Sequence, residues 1–159
     1  MRIILVAYFT LVVHEILHIL GYKICGFGIK FVYIFPIVYK GKAPILRLVL
    51  LGLGGLVVPD INDVEEKCIK KKLEIGIIAP LVFHIFMVCI CVVLYIKEKS
   101  ENTLDLMLLS ILFFLMTTLE SNGVYGDTIS AFHMIKGDSV SDKILDGIKN
   151  FECNIFYRN

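Results

Sequence analysis

Charge is scarce in this chain, and the scarcity bounds its class. Only 19% of its residues are Asp, Glu, Lys or Arg, against 57% that are hydrophobic. Soluble domains carry about 25% charged and roughly 45–50% apolar residues. The apolar excess is gathered into long runs, so a bilayer accounts for it better than a large water-soluble core. Basic clusters are also wanting. The net charge is +1 and no recognition motif accompanies the scattered lysines, which argues against a nucleic-acid partner. The five cysteines, Cys25, Cys68, Cys89, Cys91 and Cys153, form no CxxC pair. Their odd number and spacing speak against a disulfide framework or a cysteine-based structural zinc site. Reduced thiols suit a membrane facing a reducing compartment, such as the bacterial cytoplasmic membrane. The apolar stretch after Arg2 has no small-x-small cleavage site before Gly21, so it is expected to be a retained spanning helix rather than a leader peptide.

What is present reads as one domain at this length: an integral membrane unit over 1–136 and a polar C-terminal tail over 137–159, exposed or packed on the same domain, with a short strand expected at 151–157. Four hydrophobic stretches stand out, 3–22, 45–59, 74–96 and 104–119. About 20 residues at 1.5 Å each cross some 30 Å of hydrocarbon. The second stretch is short, and Gly52, Gly54 and Gly55 would allow close backbone packing, so it reads as a buried or tilted span. Pro80 is expected to kink the third. Between the first two, glycines, β-branched and aromatic residues and Pro36 suggest extended chain turning near Gly41. That chain must lie against helices or at the interface, because open strands cannot face lipid. The expected fold is an all-α membrane bundle of about four transmembrane or buried helices with a short membrane-associated β element. The connections on the two sides of such a bundle hold seven and nine Lys or Arg, so the positive-inside rule sets no orientation.

The first stretch carries His14, Glu15 and His18 in otherwise apolar surroundings, and ionisable groups are costly there unless they have a partner or a task. On a helix, positions 14 and 18 share one face, so two imidazoles can reach one zinc ion. Glu15 is then placed to reach a water on that ion, accept its proton and pass it to a leaving amine. The bland alternative is a buried polar network, which the membrane context disfavours. Catalytic zinc takes three protein ligands and keeps one position open, and several residues compete for the third place. Asp127, in Asn122-Gly-Val-Tyr-Gly-Asp127, sits in small, flexible surroundings after the fourth hydrophobic stretch, though before Thr128 it can also be a helix N-cap. Glu120 lies nearer the span. Asp146 would need the tail to fold back, His84 is equally explained as a satisfied core histidine, and His133 sits on a short expected helix.

With these residues in view, the chain resembles the site-2 protease group of intramembrane zinc metalloproteases, especially its small branch of zincin peptidases. The likeness rests on HEILHILGY in the first helix, the aromatic 31–39 stretch with its proline, and the distal Gly126-Asp127. It implies His14 and His18 as zinc ligands, Glu15 as base and Asp127 as third ligand. The larger families instead carry Asn-x-x-Pro followed by Asp-Gly; here Leu145-Asp146-Gly147 matches only the ending, outside any hydrophobic helix. The resemblance further implies that the 26–40 region forms a sheet beside the catalytic helix whose edge pairs with an unwound peptide or membrane-protein substrate. Phe31, Tyr33 and Asn122 are the candidate substrate-binding residues. The expected function is therefore zinc-dependent endopeptidase activity in or next to the bilayer. Two other classes compete: a noncatalytic membrane immunity or peptide-binding protein, and a membrane hydrolase acting on lipidated peptides with a different metal arrangement.

Overall fold

A computed structural model describes residues 2–39, 44–46, 54–61, 66–121 and 124–150. The chain opens with helix α1 (Arg2–Ile24), followed by strands β1 (Gly28–Ile34), β2 (Ile37–Tyr39), β3 (Pro44–Leu46) and β4 (Gly55–Asp60). Helices α2 (Glu66–Glu98) and α3 (Glu101–Met116) come next. A small hairpin of β5 (Glu120–Ser121) and β6 (Val124–Tyr125) leads to α4 (Asp127–Lys136) and α5 (Ser139–Lys149). The strand at 151–157, the turn near Gly41 and Asn122 lie outside the described residues.

Helix α1 ends where its sequence supplies a left-handed residue. Gly26 has φ +84°, a conformation that costs glycine nothing. The Gly26 N–H bonds to the Lys23 carbonyl and the Phe27 N–H to the Tyr22 carbonyl, each at 3.0 Å. That pair of bonds is a Schellman motif, and the apolar contact that accompanies it is the T-shaped packing of Phe27 with Tyr22. Both rings are buried. The chain is thereby turned from the helix into β1.

The sheet order is β3-β2-β1-β4, with every pair antiparallel. Val32 sits opposite both Tyr39 and Val57. The expected second span over 45–59 is thus corrected: its two ends are strands β3 and β4. The β-branched pair Val57 and Val58 favours extended chain. Pro59 has no N–H for a ladder, which a strand at the sheet edge tolerates, and β4 holds such an edge position.

The helices run antiparallel in sequence order. His14 of α1 meets His84 of α2, while His18 meets Gly76. On the next crossing Cys91 of α2 meets Ser110 of α3, while His84 stacks on Phe113. The α2–α3 link is as short as Lys99 and Ser100 because Ser100 caps α3: its hydroxyl accepts from the Thr103 N–H, and Thr103 answers the Ser100 N–H. This capping box satisfies donors that a helix start leaves orphaned. The sheet, α4 and α5 gather at one end of the three helices, where Tyr22, Phe27, Val57, Leu73, Met134 and Leu145 share a core. Helix α5 occupies part of the expected tail and packs Ile144 and Ile148 on that core.

Among the described residues, two helical segments are long and apolar enough to cross a membrane, Ile3–Ile24 and Cys68–Glu98. In their most apolar windows only 17% and 28% of residues are buried, so both present apolar side chains outward. Helix α3, with 16 residues, is about 24 Å long at 1.5 Å per residue, short of the ~30 Å hydrocarbon thickness. The molecule is mostly helical with a small sheet.

Candidate metal centre

Helical spacing puts His14 and His18 on the face of α1 that turns toward α2, and both are buried, as is Glu15. Their rings meet edge to face with centroids 4.8 Å apart. Into the space beside them comes Asp127 from the far end of the chain. One of its oxygens, Oδ2, lies 2.9 Å from His14 Nε2 and 3.3 Å from His18 Nε2. Donor atoms about 2.0–2.2 Å from a tetrahedrally coordinated zinc are themselves roughly 3.3 Å apart. The two imidazole nitrogens and this carboxylate oxygen fit one ion in both chemistry and spacing. The ligand atoms of His14, His18 and Asp127 lie within 4.8 Å of one another, and the group can hold a metal ion.

Asp127 reaches the cluster because of how α4 begins. The helix N-cap is Gly126, which makes no side-chain cap bond, so Asp127 does not serve as the cap. The Gly126 N–H bonds to the Leu119 carbonyl at 2.9 Å and the Thr128 N–H to the Thr117 carbonyl at 3.1 Å. A Cβ at Gly126 would overlap the Thr117 carbonyl; only glycine lets the chain pass that close to the end of α3. Thr117 and Thr128 hydroxyls, 3.0 Å apart, tighten the same joint. Burial alone would raise the Asp127 carboxyl, but the His14 and His18 imidazoles beside it hold it well below the usual carboxylate range. A first-turn position adds the favourable end of the helix dipole. Asp127 is therefore a carboxylate. Its side chain is 27% exposed against 5% for Glu15, so the cluster opens to solvent on the Asp127 side.

Glu15 stands beside the three candidate ligands, with Oε1 3.9 Å from His14 Nε2, too far for a hydrogen bond and close enough to share a water. Its other neighbour is the backbone of β4. A Cβ on Gly55 would overlap the Glu15 carboxyl group, so the sheet edge abuts the carboxylate through a residue without a side chain.

The remaining sequence candidates sit elsewhere. His84 is buried, but its Nε2 meets His14 Nδ1 at 2.8 Å, on the side of that ring away from Asp127. Glu120 pairs through its backbone with Tyr125 in the small hairpin. Asp146 is exposed on α5. His133 Nδ1 bonds to Asp138 at 2.8 Å. Phe31 and Tyr33 pack with Val38 and Val58, on the sheet face opposite Val32 and Ile34, which look toward Tyr8 and Val12 of α1. Strand alternation turns the two aromatic rings away from α1.

Sequence reasoning gave Gly21 and Gly76 no part in the site, and gave Pro80 only that of a kink. A Cβ at Gly21 would come within 2.9 Å of the Gly76 Cα, and one at Gly76 would overlap the Tyr22 ring. The two glycines set the close crossing that brings His18 Nδ1 to 2.9 Å from the Gly76 carbonyl. The signal was a small residue in each apolar helix, legible only once the pairing of the helices is known. No family model, curated protein or solved structure matches the chain.

Proposed function

We propose that this chain is a membrane-embedded zinc endopeptidase of the site-2 protease kind. The carrying observation is the convergence of two imidazole nitrogens on one Asp127 oxygen, at 2.9 and 3.3 Å, with Glu15 alongside. His14, His18 and Asp127 would hold the ion and leave one position open. When bound, zinc would supply Lewis-acid polarisation of a peptide carbonyl and a water acidic enough to be deprotonated near neutral pH. Glu15 accepts that proton and returns it to the departing amine, so a single carboxylate serves as base and then acid. Its burial keeps it clear of bulk solvent, and the opening beside Asp127 admits the water.

The substrate is a peptide or membrane protein in extended form. A helical peptide has its carbonyls hydrogen-bonded along its own axis and screened by side chains, so hydrolysis requires local unwinding. Among the described residues β4 is hydrogen-bonded to β1 alone, and its Gly55 lies against Glu15. A substrate strand added along that edge brings a peptide bond to the carboxylate. The outward apolar faces of α1 and α2 support placement in a bilayer, and free Cys25, Cys68, Cys89 and Cys91 suit one bordering a reducing compartment, as the bacterial cytoplasmic membrane does.

The test is metal content and cleavage of a membrane-spanning peptide by the purified chain in detergent or liposomes. Glu15→Gln should keep one zinc per chain and lose about 10²–10⁴-fold in turnover. His14→Ala should lose the zinc as well, since a ligand is gone. Full turnover by Glu15→Gln would remove Glu15 from the mechanism. A wild-type chain that folds and binds a peptide without zinc would instead support a noncatalytic binding protein.

A further inference from the structure

Gly76, Pro80 and His84 recur every four residues on α2 and so lie along one stripe of that helix. The stripe faces His18 and His14, which share the same spacing on α1. Each imidazole is met on its Nδ1 side: His18 by the Gly76 carbonyl at 2.9 Å, His14 by His84 Nε2 at 2.8 Å.

The Gly76 carbonyl is available for a specific reason. In an α-helix it would accept the N–H of the residue four positions on. That residue is Pro80, which has no N–H to give. A buried carbonyl left unpaired carries a desolvation penalty, and His18 Nδ1 is the donor that meets it. A carbonyl oxygen can only accept, so the shared proton must sit on His18 Nδ1. Nε2 is then the nitrogen left to face Asp127.

For His14 the partner is another imidazole, and two proton arrangements fit the distance. Only one of them, Nδ1–H of His14 donating to His84 Nε2, leaves His14 Nε2 with a lone pair beside Asp127. A neutral imidazole has one donor nitrogen and one acceptor nitrogen, so His84 then carries its own proton on Nδ1.

We infer that Pro80 and His84 are positioning residues that fix the Nδ1–H form of both His18 and His14, aiming both Nε2 atoms at one metal position beside Asp127. This rests on the metal site proposed above. Pro80 acts by withholding a backbone donor from Gly76, and His84 by offering an acceptor to His14. Partners of this kind hold a ligating imidazole in its rotamer and protonation form, and their loss typically weakens metal binding about 10–100-fold.

The inference is tested with Pro80→Ala, His84→Leu and His84→Gln in the full chain, using zinc affinity measured against a competing chelator and ¹⁵N spectra of the histidine side chains with and without zinc. Alanine restores the N–H that competes for the Gly76 carbonyl while removing an interior proline. The Pro80→Ala helix should therefore be at least as stable as the original, yet bind zinc about 10–100-fold more weakly. In the wild type, His18 Nδ1 should stay protonated and hydrogen-bonded in both spectra; in Pro80→Ala that signature should fade. His84→Leu should weaken zinc by a similar factor, and His84→Gln, whose side-chain oxygen can accept from His14, should recover most of it. Wild-type affinity in both Pro80→Ala and His84→Leu would overturn the inference and leave the metal site standing. A wild type that takes up no zinc while His18 Nδ1 keeps its bonded proton would overturn the metal site and leave the role of Pro80 toward His18 standing. A His18 Nδ1 without a proton would overturn the inference outright.

Discussion

Gly55 illustrates how much of this site depends on single atoms. Its missing Cβ is the space that the Glu15 carboxyl group fills, so Gly55→Ala forces either β4 or Glu15 to move. Overpacking of this kind costs about 1–3 kcal/mol. On the proposed mechanism Gly55→Ala keeps its zinc but loses turnover, which parallel metal analysis and peptide cleavage would separate from a fall in melting temperature. Unchanged turnover would show that the sheet edge does not bear on Glu15. The helical half of the cluster was legible in the sequence because a spacing of four is a property of every helix, so His14 and His18 had to share a face. Asp127 lies 109 residues from His18, and no periodicity reaches that far. Asp127 was preferred to Glu120 and Asp146 for its small, flexible surroundings and the Gly-Asp likeness, and Gly126, packed on Thr117, gives the physical reason why that pair reaches the imidazoles. Gly55, Gly76 and Pro80 act through backbone groups, whose partners a sequence does not reveal.

Among the elements, the short ones were the hardest to read, and the α4–α5 corner shows what their sequences encode. Gly137, at φ +65°, ends α4, and Asp138 at once caps α5 by accepting from the Val140 and Ser141 N–H groups. The same carboxylate takes a hydrogen bond from His133 Nδ1, and that bond, with the cap bonds, holds Asp138 below the usual carboxylate range. A carboxylate lowered on folding stabilises the corner at all pH values above its unfolded pKa, near 4, and that contribution is lost as pH falls through the folded value. Amide exchange over α5 should therefore accelerate below about pH 4, and Asp138→Asn, which keeps an acceptor but not the charge, should flatten that dependence. An identical acid response in wild type and Asp138→Asn would assign it to other groups. Helix α5 was expected within a tail because its residues are mostly polar; its few apolar side chains fall on one face, and a salt bridge of 2.6 Å from Lys70 to Asp142 joins it to α2. The 45–59 stretch failed for the opposite reason. A short apolar run reads equally as a buried strand or a helix, and here the β-branched residues and Pro59 were the better guide than the total hydrophobicity.

Taken whole, the molecule keeps an apolar core at one end, buries a polar cluster beside it, and exposes large apolar side chains along its long helices. Two histidines and a glutamate that form the candidate centre are buried, while Ile4, Phe9, Val82, Phe86 and Ile96 stand more than half exposed. Composition anticipated this exposure, and on the proposed reading the apolar side chains that stand outside the core meet lipid. The strands within 45–59 were not anticipated, because hydrophobicity counts apolar runs without distinguishing a strand from a helix. Phe86 offers a direct test of the solvent. It is 62% exposed and lies near the middle of the Cys68–Glu98 segment, far from either end where a long side chain can snorkel to water. On a water-facing surface, away from any partner, a substitution at such a position changes stability by less than about 0.5 kcal/mol. In hydrocarbon, arginine at mid-helix costs roughly 2.5–3.5 kcal/mol on insertion. Phe86→Arg should therefore reduce the membrane-inserted fraction of newly made chain, measured by resistance to alkaline extraction. Ile96→Arg, two residues from the end of α2, should be tolerated because its charge can reach the interface. Equal, full retention of both variants in a water-soluble form would place α2 in water and remove the bilayer from the description of this protein.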